Sequence, residues 1–191
     1  MTDWYQAIVD THVDKQGSVE LATRVTSVMM RSGLIEPMDD MVDFGRKSVS
    51  SFAPGPRFAE YFDHKTGTEN LEIHAGGWVS DYGIVGLELA ACPVCGTEIS
   101  IQNAEELEIL KMELVKASHR FLKTGNDASL PCPICTGENL IKYWQTEPHL
   151  GFCQLAFVFW NWPPVQECRY DLVRYLGETL KHNIVFTYGR L

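Results

Sequence analysis

Apolar residues recur along the chain at two spacings, one of about three and a half residues and one of two. Tyr5, Ile8, Val9 and His12 fit the first, which predicts a short helix over residues 3 to 15. Ser18 then reads as the cap of a second helix, in which Leu21, Val25, Val28 and Met29 form a stripe and Gly33 supplies the stop. From Glu36 to Pro56 the periodicity dissolves into Pro37, Gly45, a Ser48-Val49-Ser50-Ser51 cluster and Pro54-Gly55-Pro56, the pattern of a long loop. A short helix from Arg57 to Phe62 follows.

Glycine-punctuated runs at Leu71–His74, Gly77–Ser80 and Ile84–Ala90 read as strands. Residues 103 to 123 carry the strongest helical pattern. Leu107, Leu110, Leu114 and Phe121 make its stripe, and Asn103 with Glu106 suggests a capping box. Acidic residues sit at its start and basic ones at its end, complementing the helix dipole. Asn139–Trp144 and Phe152–Trp160 read as strands. The second is apolar on both faces and should be central in its sheet. Pro164 opens a helical stripe of Val165, Cys168, Leu172 and Leu176, and Ile184–Tyr188 closes the chain as a strand.

Strands and helices mix without strict alternation, so the expected class is α+β, with a mixed or antiparallel sheet and packed helices. The expected division is a helical N-terminal part over 1–66 and an α+β part over 67–191 containing a cysteine element at 88–145. The length, 191 residues, suits about one domain with an appendage. No apolar run is long enough to span a membrane, and the opening Met-Thr-Asp-Trp-Tyr lacks the pattern of a secretory signal, so a cytoplasmic protein is expected. A net charge of −9 argues against non-specific binding to nucleic acid or anionic membrane, and would suit a basic partner.

The clearest chemistry lies in Cys92-Pro93-Val94-Cys95-Gly96 and Cys132-Pro133-Ile134-Cys135-Thr136-Gly137. Each Cys-x-x-Cys turn lets two sulfurs converge on one ion. Two turns supply the four soft ligands of a tetrahedral zinc, here preferred over a redox pair or an iron centre. Cys92, Cys95, Cys132 and Cys135 are therefore expected to bind one structural zinc per chain in a zinc-ribbon-like element. The 36 residues between Cys95 and Cys132 form a long helical excursion. Nucleobase deaminases pair Pro-Cys-x-x-Cys with His-x-Glu, but His74-Ala75-Gly76 puts glycine where the carboxylate is required. No phosphate-cradling loop and no nucleophile elbow occur. Cys153 and Cys168 read as core thiols, and no spacing singles out a histidine.

Asp3-Trp4-Tyr5, Pro54-Gly55-Pro56, Gly86-Leu87-Glu88-Leu89, the paired Cys-Pro-x-Cys turns, Gly151-Phe152, Phe159-Trp160-Asn161-Trp162-Pro163-Pro164 and the terminal Tyr188-Gly189-Arg190-Leu191 together form a pattern. It resembles an uncharacterised bacterial family of similar length, some members of which carry the label "sugar ABC transporter ATPase". The resemblance implies a cytosolic bacterial zinc protein. It carries no activity across.

The function expected from these readings is binding to another protein. One form is an immunity or antitoxin role that masks a basic enzyme. Candidate contacts are Asp39, Asp40 and Asp43 in the long loop, Glu105 and Glu108 on the long helix, and Trp78 or Trp162 as aromatic anchors. The alternatives are a zinc-ribbon accessory of nucleic-acid machinery and an enzyme with an unrecognised histidine–acid site.

Overall fold

The computed structural model describes residues 4–38, 49–63, 68–125, 127–169 and 171–190. Its elements run in the order β1 (Trp4–Asp10), α1 (Lys15–Arg31), β2 (Ile35–Pro37), β3 (Val49–Pro54), α2 (Phe58–Tyr61), β4 (Leu71–Val79) and α3 (Asp81–Val85). Then follow β5 (Leu89–Ala91), β6 (Glu98–Ser100), α4 (Ala104–Thr124), β7 (Ser129–Pro131), β8 (Glu138–Leu140), β9 (Gln145–Glu147), β10 (Phe152–Trp160), α5 (Leu172–Leu180) and β11 (Ile184–Arg190). The expected α+β class with antiparallel sheets and packed helices is what the chain forms.

One six-stranded sheet, ordered β11-β1-β10-β4-β3-β2, is antiparallel at every pairing. Within it β1-α1-β4-β10-α5-β11 is a split βαβ arrangement, with the first strand between the last and the third. Two insertions decorate this frame. The β2–β3 hairpin extends the edge beside β4. The whole segment from α3 to β9 is inserted between β4 and β10, and it carries the four clustered cysteines.

The helix expected over residues 3 to 15 is instead β1. This strand lies between β10 and β11, and all but Trp4 of its residues are buried. Burial on both faces erases the alternation that marks a half-buried strand, so the apolar spacing mimicked a helix. The N-terminal part thus contributes three strands to the same sheet as the C-terminal strands. The junction at residues 66 and 67 lies outside the described residues. Helix α1 starts earlier than expected. Asp14 is its cap, accepting from the Gly17 amide at 2.7 Å, whereas Ser18 lies inside the first turn. Gly33 does take the left-handed conformation just past the helix end, at φ 74°. Ile84–Ala90 is not one strand but α3 followed by β5, and the stretch read as a long loop contains β2 and β3.

Ile8, Leu71, Ile73, Leu155, Phe157 and Phe159 pack against α1, α2 and α5 in the main core. Tyr5, Ala7, Val9, Trp78, Cys153, Ala156 and Val158 form a separate cluster on the opposite sheet face. Small residues there let aromatic rings lie close to the backbone: a Cβ on Gly189 would sit 2.6 Å from the Tyr5 ring, and one on Gly151 2.5 Å from Trp78. The Trp-Asn-Trp-Pro-Pro segment folds the exit of β10 back onto β1. Trp4 and Asn161 bond reciprocally, and the buried Gln6 amide donates to the Trp162 and Pro163 carbonyls and accepts from the Val165 amide. Trp162 is fully buried against Phe58, Phe62 and Phe159. Trp78 is buried to 6% exposure. Neither tryptophan is an exposed anchor: both fill cores, because their rings cover the sheet.

Candidate metal centre

Two short hairpins, β5–β6 and β7–β8, each end in a Cys-x-x-Cys turn. Their elements repeat at a constant offset of 40 residues, including the 3-10 turns Ile101–Asn103 and Ile141–Tyr143 that follow them. The bonding repeats as well. The first cysteine of each turn donates its amide to the sixth residue, Thr97 or Gly137, and accepts at its carbonyl from the fifth, Gly96 or Thr136. The amides of Val94 and Ile134 point at the Cys92 and Cys132 sulfurs, at 3.3 and 3.4 Å. Such donors stabilise thiolate charge.

Helix α4 links the hairpins and holds them together. Leu107, Leu110, Leu114, Ala117 and Phe121 form a second core with Ala90, Ile99, Leu130 and Ile141. The helix begins at Ala104 with Asn103 as its cap residue, but without a side-chain cap bond. The capping box is made by Ser100 and Asn103 around the preceding 3-10 turn instead.

Cys92, Cys95, Cys132 and Cys135 thereby converge, with all four sulfurs within 4.8 Å of one another. Cys92 and Cys135 are 4.0 Å apart. Four thiolates at the usual zinc–sulfur bond length of ~2.3 Å stand about 3.8 Å apart, so the cluster is close to the size a tetrahedral ion imposes. A disulfide needs ~2.05 Å, and all four cysteines are free. The four can hold a metal ion. Cys92 and Cys132 are buried within the second core, while Cys95 is exposed and Cys135 half-buried. The Thr97 side chain, then its backbone, draws the Cys95 thiol down to about 6. The Gly137 amide pulls Cys135 down, but burial and the neighbouring cysteines outweigh it and carry that thiol up to about 11.

The other expected residues do not join this centre. Glu105 and Glu108 are exposed near the start of α4, where Glu108 pairs with Lys111 at 3.1 Å. Asp39, Asp40 and Asp43 lie outside the described residues. Cys153 and Cys168 are buried, and burial pushes the Cys153 thiol far up.

Two acid–histidine pairs escaped the sequence. Asp10, fully buried, accepts from the His12 and Val13 amides on one oxygen and meets His182 Nδ1 at 2.6 Å on the other. The residues are 172 apart, so no local pattern could have shown the pair. Glu72 and His74 pair at 2.9 Å on β4, where their two-residue spacing places them on one face. That spacing was already readable, because Leu71–His74 reads as a strand from the sequence.

Compared with family models, curated proteins and solved structures, the chain shows no match. No helix among the described residues is long and apolar enough to cross a membrane.

Proposed function

We propose that the four-cysteine cluster holds one zinc ion as a staple between two hairpins, and that the protein acts by binding a basic partner protein. The observation that carries the first part is the closed sulfur set, two ligands from each hairpin, in a cluster sized for a tetrahedral ion. Four thiolates leave zinc no open position for substrate, which supports a structural role over a catalytic one. The resemblance to the bacterial family with paired Cys-Pro-x-Cys turns agrees with this reading.

Support for the second part is electrostatic. A groove of about 790 Å³ runs beside the edge strand β11, lined by Trp4, Phe186 and Tyr188 and by the exposed carboxylates Glu88 and Glu147. Among the residues whose side chains are described, no lysine or arginine lines it. Aromatic faces with carboxylates suit a cationic side chain, and a charge of −9 steers a basic protein towards the surface. An immunity or antitoxin-type inhibitor is one form of such a binder. Lys142, just after β8, is engaged by Asp127 at 2.5 Å, and Lys116, midway along α4, by Glu113 at 2.6 Å. Cations already paired have fewer counterions to release from a nucleic acid, which disfavours the accessory reading.

Elemental analysis tests the metal, with one zinc per chain expected and a metal-free preparation counting against it. A pull-down from the native host tests the partner. One basic protein, associating more slowly at high salt and weakened by Glu88→Gln with Glu147→Gln, supports the reading. An acidic partner, or recovery of a nucleic acid, overturns it.

A further inference from the structure

The end of β1 brings two imidazoles to one place, far in sequence from the cysteine cluster. His12 lies two residues past the end of the strand, and His182 lies between α5 and β11. Their ring centroids are 6.2 Å apart. The Asp10 carboxylate between these segments is fully buried, and three contacts occupy its two oxygens. The His12 and Val13 amides donate to Oδ1, and His182 Nδ1 faces Oδ2 in the geometry of an N–H donating to a carboxylate oxygen. This fixes the tautomer and leaves the Nε2 lone pair directed away from Asp10. The His182 side chain is 33% exposed, so that nitrogen can be reached from solvent. At His12, Nδ1 meets the Thr11 hydroxyl at 3.3 Å, again leaving Nε2 uncommitted.

A buried carboxylate that accepts from one ring nitrogen while the other is left open is the arrangement that orients a histidine for a metal ion. Two imidazoles binding one ion at ~2.0–2.1 Å place their centroids about 4.5 to 6.4 Å apart, from right-angled to opposed geometry. The observed spacing lies at the wide end of that range. We propose that His12 and His182 form a second metal site, for a borderline divalent transition cation, with Asp10 as the positioning residue behind His182. Water or an external donor completes the coordination, because the chain supplies only two ligands. Such a site is open, unlike the closed sulfur set, and it exchanges its ion readily.

A purely structural role makes a different demand. If Asp10 and His182 only tie the β1 end to the α5–β11 turn, the second imidazole is irrelevant and no ion is bound.

The test is a calorimetric titration of the zinc-loaded protein with Ni²⁺. One Ni²⁺ per chain is expected beyond the resident metal. His12→Ala and His182→Gln should each weaken it at least tenfold, whereas His119→Ala on the exposed face of α4 should leave it unchanged. Asp10→Asn should weaken it while both ligands remain. Paramagnetic broadening of the His12 and His182 ring protons by Ni²⁺ provides a readout that needs no variant, should one of them fail to fold. No binding up to millimolar Ni²⁺, broadening centred elsewhere, or binding unaffected by both His12→Ala and His182→Gln overturns the proposal.

Discussion

Thr136 holds the same left-handed backbone conformation, φ 58°, that Gly96 holds 40 residues earlier at φ 71°. Both follow the second cysteine of their turn, and both return an amide to the carbonyl of the first. The two turns therefore share one backbone path but not one residue type. A β-branched side chain is strained in this region, costing roughly 1–2 kcal/mol, whereas glycine is not.

Replacing Thr136 with Gly should therefore stabilise the metal-loaded protein by up to about 1 kcal/mol, the strain relief being partly offset by glycine's larger unfolded-state entropy. The reverse experiment isolates the strain. A Cβ at Gly96 would meet nothing within 4 Å, so Gly96→Ala should cost about 1 kcal/mol from backbone conformation alone. Urea denaturation of the two variants checks both signs.

Removing the ion should loosen one half of the molecule and spare the other. Metal-binding free energy is folding free energy where the site is absent from the unfolded chain. Cys92→Ser or Cys132→Ser should raise amide exchange across residues 89–100 and 129–140. Exchange in β1 and β10, which pair within the separate six-stranded sheet, should remain slow. Hydrogen exchange read by mass spectrometry separates local loosening from global unfolding.

Glu72 should govern part of the acid response. Burial pushes its carboxyl up, but the His74 hydrogen bond, with Trp160 and Asn70 beside it, holds the net value below the ordinary 4.5. A carboxyl lowered in the folded state contributes stability above its unfolded value and loses it as pH falls through the folded one. Wild type should thus lose stability progressively as pH drops below about 4.5, and Glu72→Gln should flatten that slope. Thermal melts between pH 3 and 6, roughly the span of carboxylate titration, check this.

Gly151 marks a close approach in the core. A methyl group there would lie 2.5 Å from Trp78, so Gly151→Ala must displace the indole. The expected cost is about 1–3 kcal/mol, typical of overpacking. A shift in tryptophan emission should accompany it, since Trp78 is otherwise sealed at 6% exposure.

The four-cysteine element was legible because its signal is local. Two cysteines three residues apart on a tight turn can share an ion whatever surrounds them, and the second copy announces the other half of the shell. Helix α4 was legible for a similar reason: Leu107, Leu110, Leu114 and Phe121 face one core together with Ala117, and most of the other positions face solvent, so the period survives. The buried strand β10 was readable as central from its apolar run alone.

What only the tertiary structure decided depends on contacts between distant segments. β1 reads as a helix until β10 and β11 flank it, because a strand buried on both sides has no polar face to alternate with. Trp162 could have been a surface anchor until Gln6 drew the residues after it onto β1 and Phe58 and Phe62 closed over its ring. Asp10 and His182 have no common motif, and they meet only because β11 lies beside β1 in register, with Asp10 opposite Ile184. Sequence alone settles chemistry held within one turn of chain; pairing between strands settles the rest, because register determines which distant side chains share a face.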